Sequence, residues 1–550
     1  MKGKIANVCI AVAIVFGVCP TVDAQIIERE RPAEWKDLVK GAKFIDRFRP
    51  MVGNEKNPKV WGTAEVQGRY TDNGIEDNIW SYWGGNIKKD ANGVYHLMVC
   101  GWLEASQYGH MQWRDSYTFD ATSDNLHGPY KPQYIIGKGH NPEVYTAKDG
   151  RQVLYVIGGR YVANDINGPW EFGHYNFHFR DRHLHEDLSN LSFAKREDGS
   201  ILMVSRGGQM WVSECGVTDF HLISEKSVYP PVDGRFEDPV LWYDGTQYHL
   251  IVNDWLGRIA YYQRSKDGIN WVTDPGEAYE PGVAVHPDGK KEEWFKYERL
   301  KIYQDEKGRP IQANFAVIDT LKYEDKPYDT HSSKNISIAL NPGVELTLLN
   351  EKAITKSTKE VRVKIHAEEG FDPAKDINIE SLRFGANELV NYGKGGKVVK
   401  TTADGKDLIV TFDGRDCGIT SEEFAPKLIG AYTDGSLLYG YARPKYLTHI
   451  EAILSAQAPT VKDGKASIIV ENFGQVASGK ASVELQCRIG DKWKRIAQTK
   501  LPPMKPYTSH TVVMNASKLP AGEQEWRIVI MHNGKQHSTF TTKRTLIDQN

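Results

Sequence analysis

The 550-residue sequence predicts an all-β chain: a five-bladed β-propeller followed by two C-terminal immunoglobulin-like β-sandwiches, with a short N-terminal helix. Three observations carry this. A Gly-containing polar turn followed by an apolar strand recurs five times, with the turn glycines at Gly93, Gly150, Gly199, Gly245 and Gly308. Tryptophan divides the chain, because 12 of the 14 lie between Trp35 and Trp294. Beyond about residue 335 the chain becomes Lys-rich and alternates apolar and polar residues, as in Glu360-Val361-Arg362-Val363-Lys364-Ile365.

The five repeats read Tyr95-His96-Leu97-Met98-Val99, Leu154-Tyr155-Val156-Ile157, Ile201-Leu202-Met203-Val204, Tyr248-His249-Leu250-Ile251-Val252 and Asn314-Phe315-Ala316-Val317 after their turns. Asp-Gly or Asn-Gly between apolar runs is a strong hairpin signal, expected here as type I′ turns with positive φ at both central residues. A period of about 45–60 residues with three or four strands per unit fits propeller blades, whose sheets bury their faces only by packing on neighbours. The expected divisions are 25–60 for an N-terminal helical segment, 61–334 for the propeller, 335–445 for one sandwich and 446–550 for the second. In the helical segment Trp35, Leu38, Val39 and Ala42 follow i, i+3, i+4, i+7 after Pro32. In the last segment, Ser467–Gly474 and Glu484–Ile489 read as immunoglobulin-like strands.

Composition narrows the class. Lys plus Arg (69) nearly balances Asp plus Glu (71), so nothing favours a polyanionic partner such as nucleic acid. Lys2 and Lys4 precede an apolar run, Ile5 to Val18, and Val22-Asp23-Ala24 offers small residues for cleavage, so residues 1–24 read as a signal peptide. The expected location is secreted or periplasmic. Cys19, followed by Pro20, is a poor lipidation site, and no later stretch is long enough to span a membrane. The remaining Cys100, Cys215, Cys417 and Cys487 lack C-x-x-C spacing and read as isolated thiols.

Polar residues just ahead of each blade's first strand should face a common channel. They are Glu76 and Asp77; His140 and Glu143; His183, His185, Glu186, Asp187 and Asn190; Glu237 and Asp238; and Glu298. The stretch from His174 through His178 and His183 to His185 is rich enough in histidine to hold a divalent cation, line an acidic-sugar pocket or supply a neutral base; otherwise no cofactor is required. Arg182 beside it would suit a uronic acid or sulfated sugar. Trp83, with Trp80, Trp102 and Trp113, could stack on sugar faces, although tryptophans at this density mostly pack between blades.

Phe236-Glu237-Asp238-Pro239-Val240-Leu241-Trp242-Tyr243-Asp244-Gly245 resembles the acidic strand-opening motifs of five-bladed glycoside hydrolases of families 43, 32 and 117. Gly139-His140-Asn141-Pro142-Glu143-Val144 is similar to the motif opening another blade in such enzymes, and Gly128-Pro129-Tyr130 and Gly168-Pro169-Trp170 to their outer-strand signature. The resemblance covers roughly residues 70–325. It implies glycosidic cleavage by paired carboxyl groups, one protonating the departing oxygen while another activates water or attacks. Glu237 stands where family 43 places its acid. Asp238-Pro239 equally resembles the Asp-Pro of family 32, a transition-state stabiliser, and under that alignment Glu298 becomes the acid. Where these families show an Asp-Pro in the first blade, this chain has Gly84-Gly85-Asn86, so the base would come from Asp77, Glu76 or another blade.

The function expected is a secreted glycoside hydrolase acting exo-wise on a plant or algal oligo- or polysaccharide. Expected catalytic residues are Glu237, Asp238, Glu298, Asp77 and Asp187; expected substrate contacts are His140, Glu143, Trp83, His185 and Arg182; no metal ligand is assigned. The alternatives are a propeller polysaccharide lyase acting on a uronate through His or Tyr, and a non-catalytic glycan-binding propeller.

Overall fold

The computed structural model describes residues 26–57, 66, 68–325, 327, 333–517 and 523–545. The signal-peptide expectation and Cys19 lie outside them. The chain is all-β, with only short helical turns. Five mainly antiparallel sheets follow one another. They open on strands Trp80–Lys89, Glu143–Thr146, Ser192–Lys195, Phe236–Tyr243 and Lys296–Gln304. Among the described residues the first, second and fourth sheets have four strands. The third gains Phe177–His178, paired parallel to Phe220–Leu222, and the fifth has three strands, ending on Ser333–Ala339. That last strand runs past the expected boundary at 334.

The five opening strands neighbour one another in chain order, and the fifth returns to the first, so the sheets form a closed, propeller-like ring. Their cores lie between sheets. Tyr145 and Tyr155 pack against Phe193, Met203 and Trp211; Leu202 and Val212 against Leu241 and Leu250; Trp242 and Tyr262 against Tyr297 and Phe315; Trp83 and Trp102 against Ala316 and Ile318. Burying an aromatic or aliphatic side chain of this size contributes about 1.5–3 kcal/mol, so each seam is held mainly by such contacts. This accounts for the tryptophan excess in the first half of the chain: Trp83, Trp102, Trp211 and Trp294 are fully buried.

Two expectations of local structure are corrected. The repeat glycines have positive φ (91°, 92°, 84°, 84° and 83°), whereas Asn92, Asp149, Asp198, Asp244 and Lys307 before them do not. These are therefore not type I′ turns. In four of them the glycine N–H donates to the carbonyl three residues back, as in Gly93 to Asp90, and a further bond closes the loop, as in Asp90 N to Val94 O. That is a type I turn ending in a left-handed glycine, the longer hairpin solution. The N-terminal helix is also absent. Ala33–Asp37 and Phe44–Arg47 are 3-10 turns separated by extended Leu38 and by Gly41 at φ 93°. Val39 breaks the register because its N–H donates to Asn391 O and its side chain joins Ile429 and Leu437 of the following sheet. Tertiary contacts outweigh a short amphipathic pattern.

After the ring, seven strands from Leu346–Leu348 to Leu437–Tyr441 form one folded-over sheet around Val363, Phe384, Val410 and Phe412. Two four-stranded sheets spanning 454–545 then enclose Ile468, Leu485, Trp526 and Ile528. The final unit docks on the third sheet of the ring. Arg180 donates to Glu471 (2.8 Å) and Ser455 Oγ (2.9 Å), and Arg182 to Ser455 Oγ and Ala456 O (3.0 Å each). Among the described residues Cys100, Cys215, Cys417 and Cys487 form no disulfide. No helix among the described residues is long and apolar enough to cross a membrane.

Candidate active site

A left-handed position recurs within or two residues ahead of each opening strand: Gly84 (φ 60°, followed by Gly85 at 104°), Asn141 (54°), Asn190 (51°), Asp238 (57°) and Arg299 (50°). This conformation costs a non-glycine residue about 1–2 kcal/mol, least for Asn and Asp. In the first, fourth and fifth sheets it accompanies a register shift, at Trp83/Asn86, Glu237/Val240 and Glu298/Lys301. A bulge there re-aims the side chains that follow it. Strain repeated at one end of a ring marks that end as the candidate site.

The five positions are wired together. Asp238 Oδ1 accepts from Arg299 Nη1 at 2.9 Å, and its Oδ2 from the Arg299 backbone N–H at 3.0 Å. Asn141 donates to Asn190 Oδ1, and Asn190 Nδ2 to Glu237 Oε1 at 2.7 Å. Arg299 Nη2 reaches Asn141 O at 3.5 Å. Gly84 presents no side chain; its carbonyl accepts from Asn335 and the Arg299 stem passes beside it.

Two carboxyl groups at this mouth have opposite fates. Burial, reinforced by the Asp238 carboxylate, raises the Glu237 carboxyl to about 7. Burial also acts on Glu298, but Lys322 and Lys296 override it and hold that carboxyl below its ordinary range. Lys322 Nζ donates to Glu298 Oε2, and Lys296 Nζ lies 3.4 Å from Oε1. Arg206 completes the rim, 3.6 Å from Glu237, 3.0 Å from Glu186 and 3.5 Å from Asp187. Neighbouring carboxyls driven apart in this way provide one proton donor and one anion near neutral pH, the division of labour that acid/base chemistry requires.

The expected site residues separate into groups. Glu237, Asp238 and Glu298 come together, and Asp187 joins them through Arg206. Asp77 does not. Its Oδ1 accepts from the backbone of Ile79 and Trp80, and Tyr82 OH donates to its Oδ2, so it shapes a turn. Glu76 is spent on Lys334 and Arg69. Glu143 lies deeper in the channel, held by Lys301, Ser192 Oγ and the Phe193 N–H. His140 is buried on Ser116 Oγ (2.9 Å), beside Trp113, and its imidazole is kept neutral by burial and then by Arg299. Trp83 is 2% exposed, with the Lys322 ammonium 4.7 Å from its ring, so it offers no open stacking face.

Arg182 is corrected: it serves the seam with the C-terminal unit, its guanidinium 4.4 Å from the Phe540 ring. His185 is exposed, 6.3 Å from His183, with its backbone N–H bound by Gln209. His178 stacks on His221 at 4.4 Å and pairs with Asp219. The His-rich stretch therefore does not converge. Among the described residues no group of three or more His, Cys, Asp or Glu side chains is placed to hold a metal ion. Lys322, Lys296 and Arg206 escaped sequence reading because neither periodicity nor motif marks them.

No family model matches the chain, and no curated protein does. Similar solved structures include the extracellular domain of a putative one-component system from B. thetaiotaomicron (11% identity, TM-score 0.21, covering 90% of this chain). The chain spans 60% of that protein's length. Another is a GH43 protein, BlXynB, from Bacillus licheniformis (11%, 0.22, 84% of this chain and 77% of that one). A DUF4785 family protein from Legionella pneumophila is a third (11%, 0.16, 40% and 63%). Likenesses at these TM-scores carry no argument for activity.

Proposed function

We propose that this chain is an exported glycoside hydrolase: a five-bladed β-propeller with two C-terminal immunoglobulin-like sandwiches, acting exo-wise on a plant or algal oligosaccharide. The observation that supports it is the split between Glu237, which keeps its proton near neutral pH, and Glu298, which does not. Glu237 donates that proton to the departing glycosidic oxygen as the bond to the anomeric carbon breaks. The ionised Glu298 carboxylate offsets positive charge on the oxocarbenium-like sugar. A water attacks the anomeric carbon and gives its proton to a carboxylate of the rim, for which Asp187 is the candidate. Asp238, tied to Arg299, positions and tunes Glu237.

A glycan-binding, non-catalytic propeller is the second reading. One observation favours it: two of the five left-handed positions hold Gly84 and Arg299, and Arg299 neutralises Asp238. Incubating the protein with a panel of plant and algal oligosaccharides distinguishes these readings. New reducing ends, lost in Glu237→Gln, support hydrolysis. Unsaturated uronate products would establish the lyase instead, and binding without turnover would establish the lectin-like role.

A further inference from the structure

The opposite end of the channel holds a feature that glycosidic cleavage leaves unused. A cavity of about 520 Å³ opens there among the far halves of the opening strands. Four lysines line it, Lys88, Lys89, Lys195 and Lys301, against one carboxylate, Glu143. Glu143 is already satisfied by Lys301, Ser192 and Phe193. Among the described residues the Lys88 ammonium finds only a neutral partner, Thr146 Oγ1 at 2.6 Å. Lys195, exposed at the end of its strand, has no ion pair among the described residues. Two ammonium groups from different sheets thus line one cavity, and among the described residues neither forms an ion pair. An uncompensated cation in a partly desolvated space, as at Lys88, is costly unless a counter-ion joins it. Burial, followed by repulsion from Lys195, lowers the Lys88 ammonium to about 8, in keeping with that deficit.

We propose that this cavity binds a tetrahedral oxyanion, sulfate or phosphate, between Lys88 and Lys195. The volume exceeds what a bare oxyanion fills, so an ester carried on a saccharide fits the same two ammonium groups. The inference does not depend on the chemistry assigned to Glu237.

Calorimetric titration of the whole chain with inorganic sulfate, inorganic phosphate, a monosaccharide sulfate and the corresponding neutral sugar, at ionic strength fixed with sodium chloride, tests it. Saturable binding of an oxyanion that weakens at least tenfold in Lys88→Met and in Lys195→Met is expected. Equal binding of the free and ester forms identifies the free ion as the ligand, and tighter binding of the ester identifies a sulfated sugar. Lys195→Met alters an exposed side chain and keeps the test intact should Lys88→Met fail to fold. Absence of saturable binding by every oxyanion, undiminished binding in the Lys195 variant, or equal binding of the neutral sugar would overturn the proposal.

Discussion

Glu237 holds a proton that an exposed glutamate would release, because burial and the adjacent Asp238 carboxylate both penalise its anion. Activity that needs the protonated acid should therefore fall as pH rises through about 7, visible as the alkaline limb of a pH–rate profile. Glu237→Gln should lower turnover by about 10²–10⁴ while leaving the fold intact. Linkage gives a second readout. A carboxyl raised in the folded state stabilises fully below its unfolded value and loses that contribution as pH rises through about 7. Relative to the parent, Glu237→Gln should thus gain about 1–3 kcal/mol between pH 4 and pH 8, measurable by urea unfolding at both pH values. Asp238→Asn removes the neighbouring anion and should move the alkaline limb to lower pH. It also strands the buried Arg299 guanidinium at a cost of about 3–5 kcal/mol, seen as a lower thermal midpoint. An unshifted limb in Asp238→Asn would remove its tuning role. Glu237 and Asp238 were legible in the sequence because an acidic pair before Pro239 opens a strand. The opposite protonation of Glu237 and Glu298 was not, since it depends on burial and on Lys322 and Lys296 being brought against Glu298.

Bulges near the starts of three opening strands redirect the chain there, and two adjacent glycines show how unequal their demands are. A Cβ on Gly85, at φ 104°, would sit 2.1 Å from Met98 O, which the strand pairing fixes. A Cβ on Gly84 would meet nothing closer than the Arg299 side chain at 3.6 Å. Gly84→Ala should therefore cost only the left-handed penalty of about 1–2 kcal/mol. Gly85→Ala should cost more than that and disturb the first sheet, as thermal unfolding of the two variants would show. The hairpin glycines were readable from sequence, but their turn type was not. Asp-Gly supplies a left-handed glycine to either kind of loop, and the number of loop residues chooses between them.

The whole molecule is joined by a charged seam where Arg180 and Arg182 of the third sheet's leading loop enter the final unit. Arg180 is 7% exposed and its ion partner is Glu471. Glu471→Ala leaves that guanidinium buried without its anion and should destabilise by about 3–5 kcal/mol; an unchanged thermal midpoint would show that the hydrogen bonds to Ser455 suffice. The same seam explains why a basic pair beside histidines misled the reading of Arg182. Arginine suits a backbone-carbonyl socket as well as a sugar anion, and only its neighbours decide. Sequence by itself determined that the chain is all-β, that its first half repeats with a glycine at each hairpin, and that acidic residues open particular strands. These are local properties, set by turn chemistry and the two-residue period of a strand. Tertiary structure decided which acids meet, which proton is kept, and that Asp77, Glu143 and Arg182 serve the scaffold. Those outcomes depend on burial and on charges brought together from distant parts of the chain, which no local pattern records.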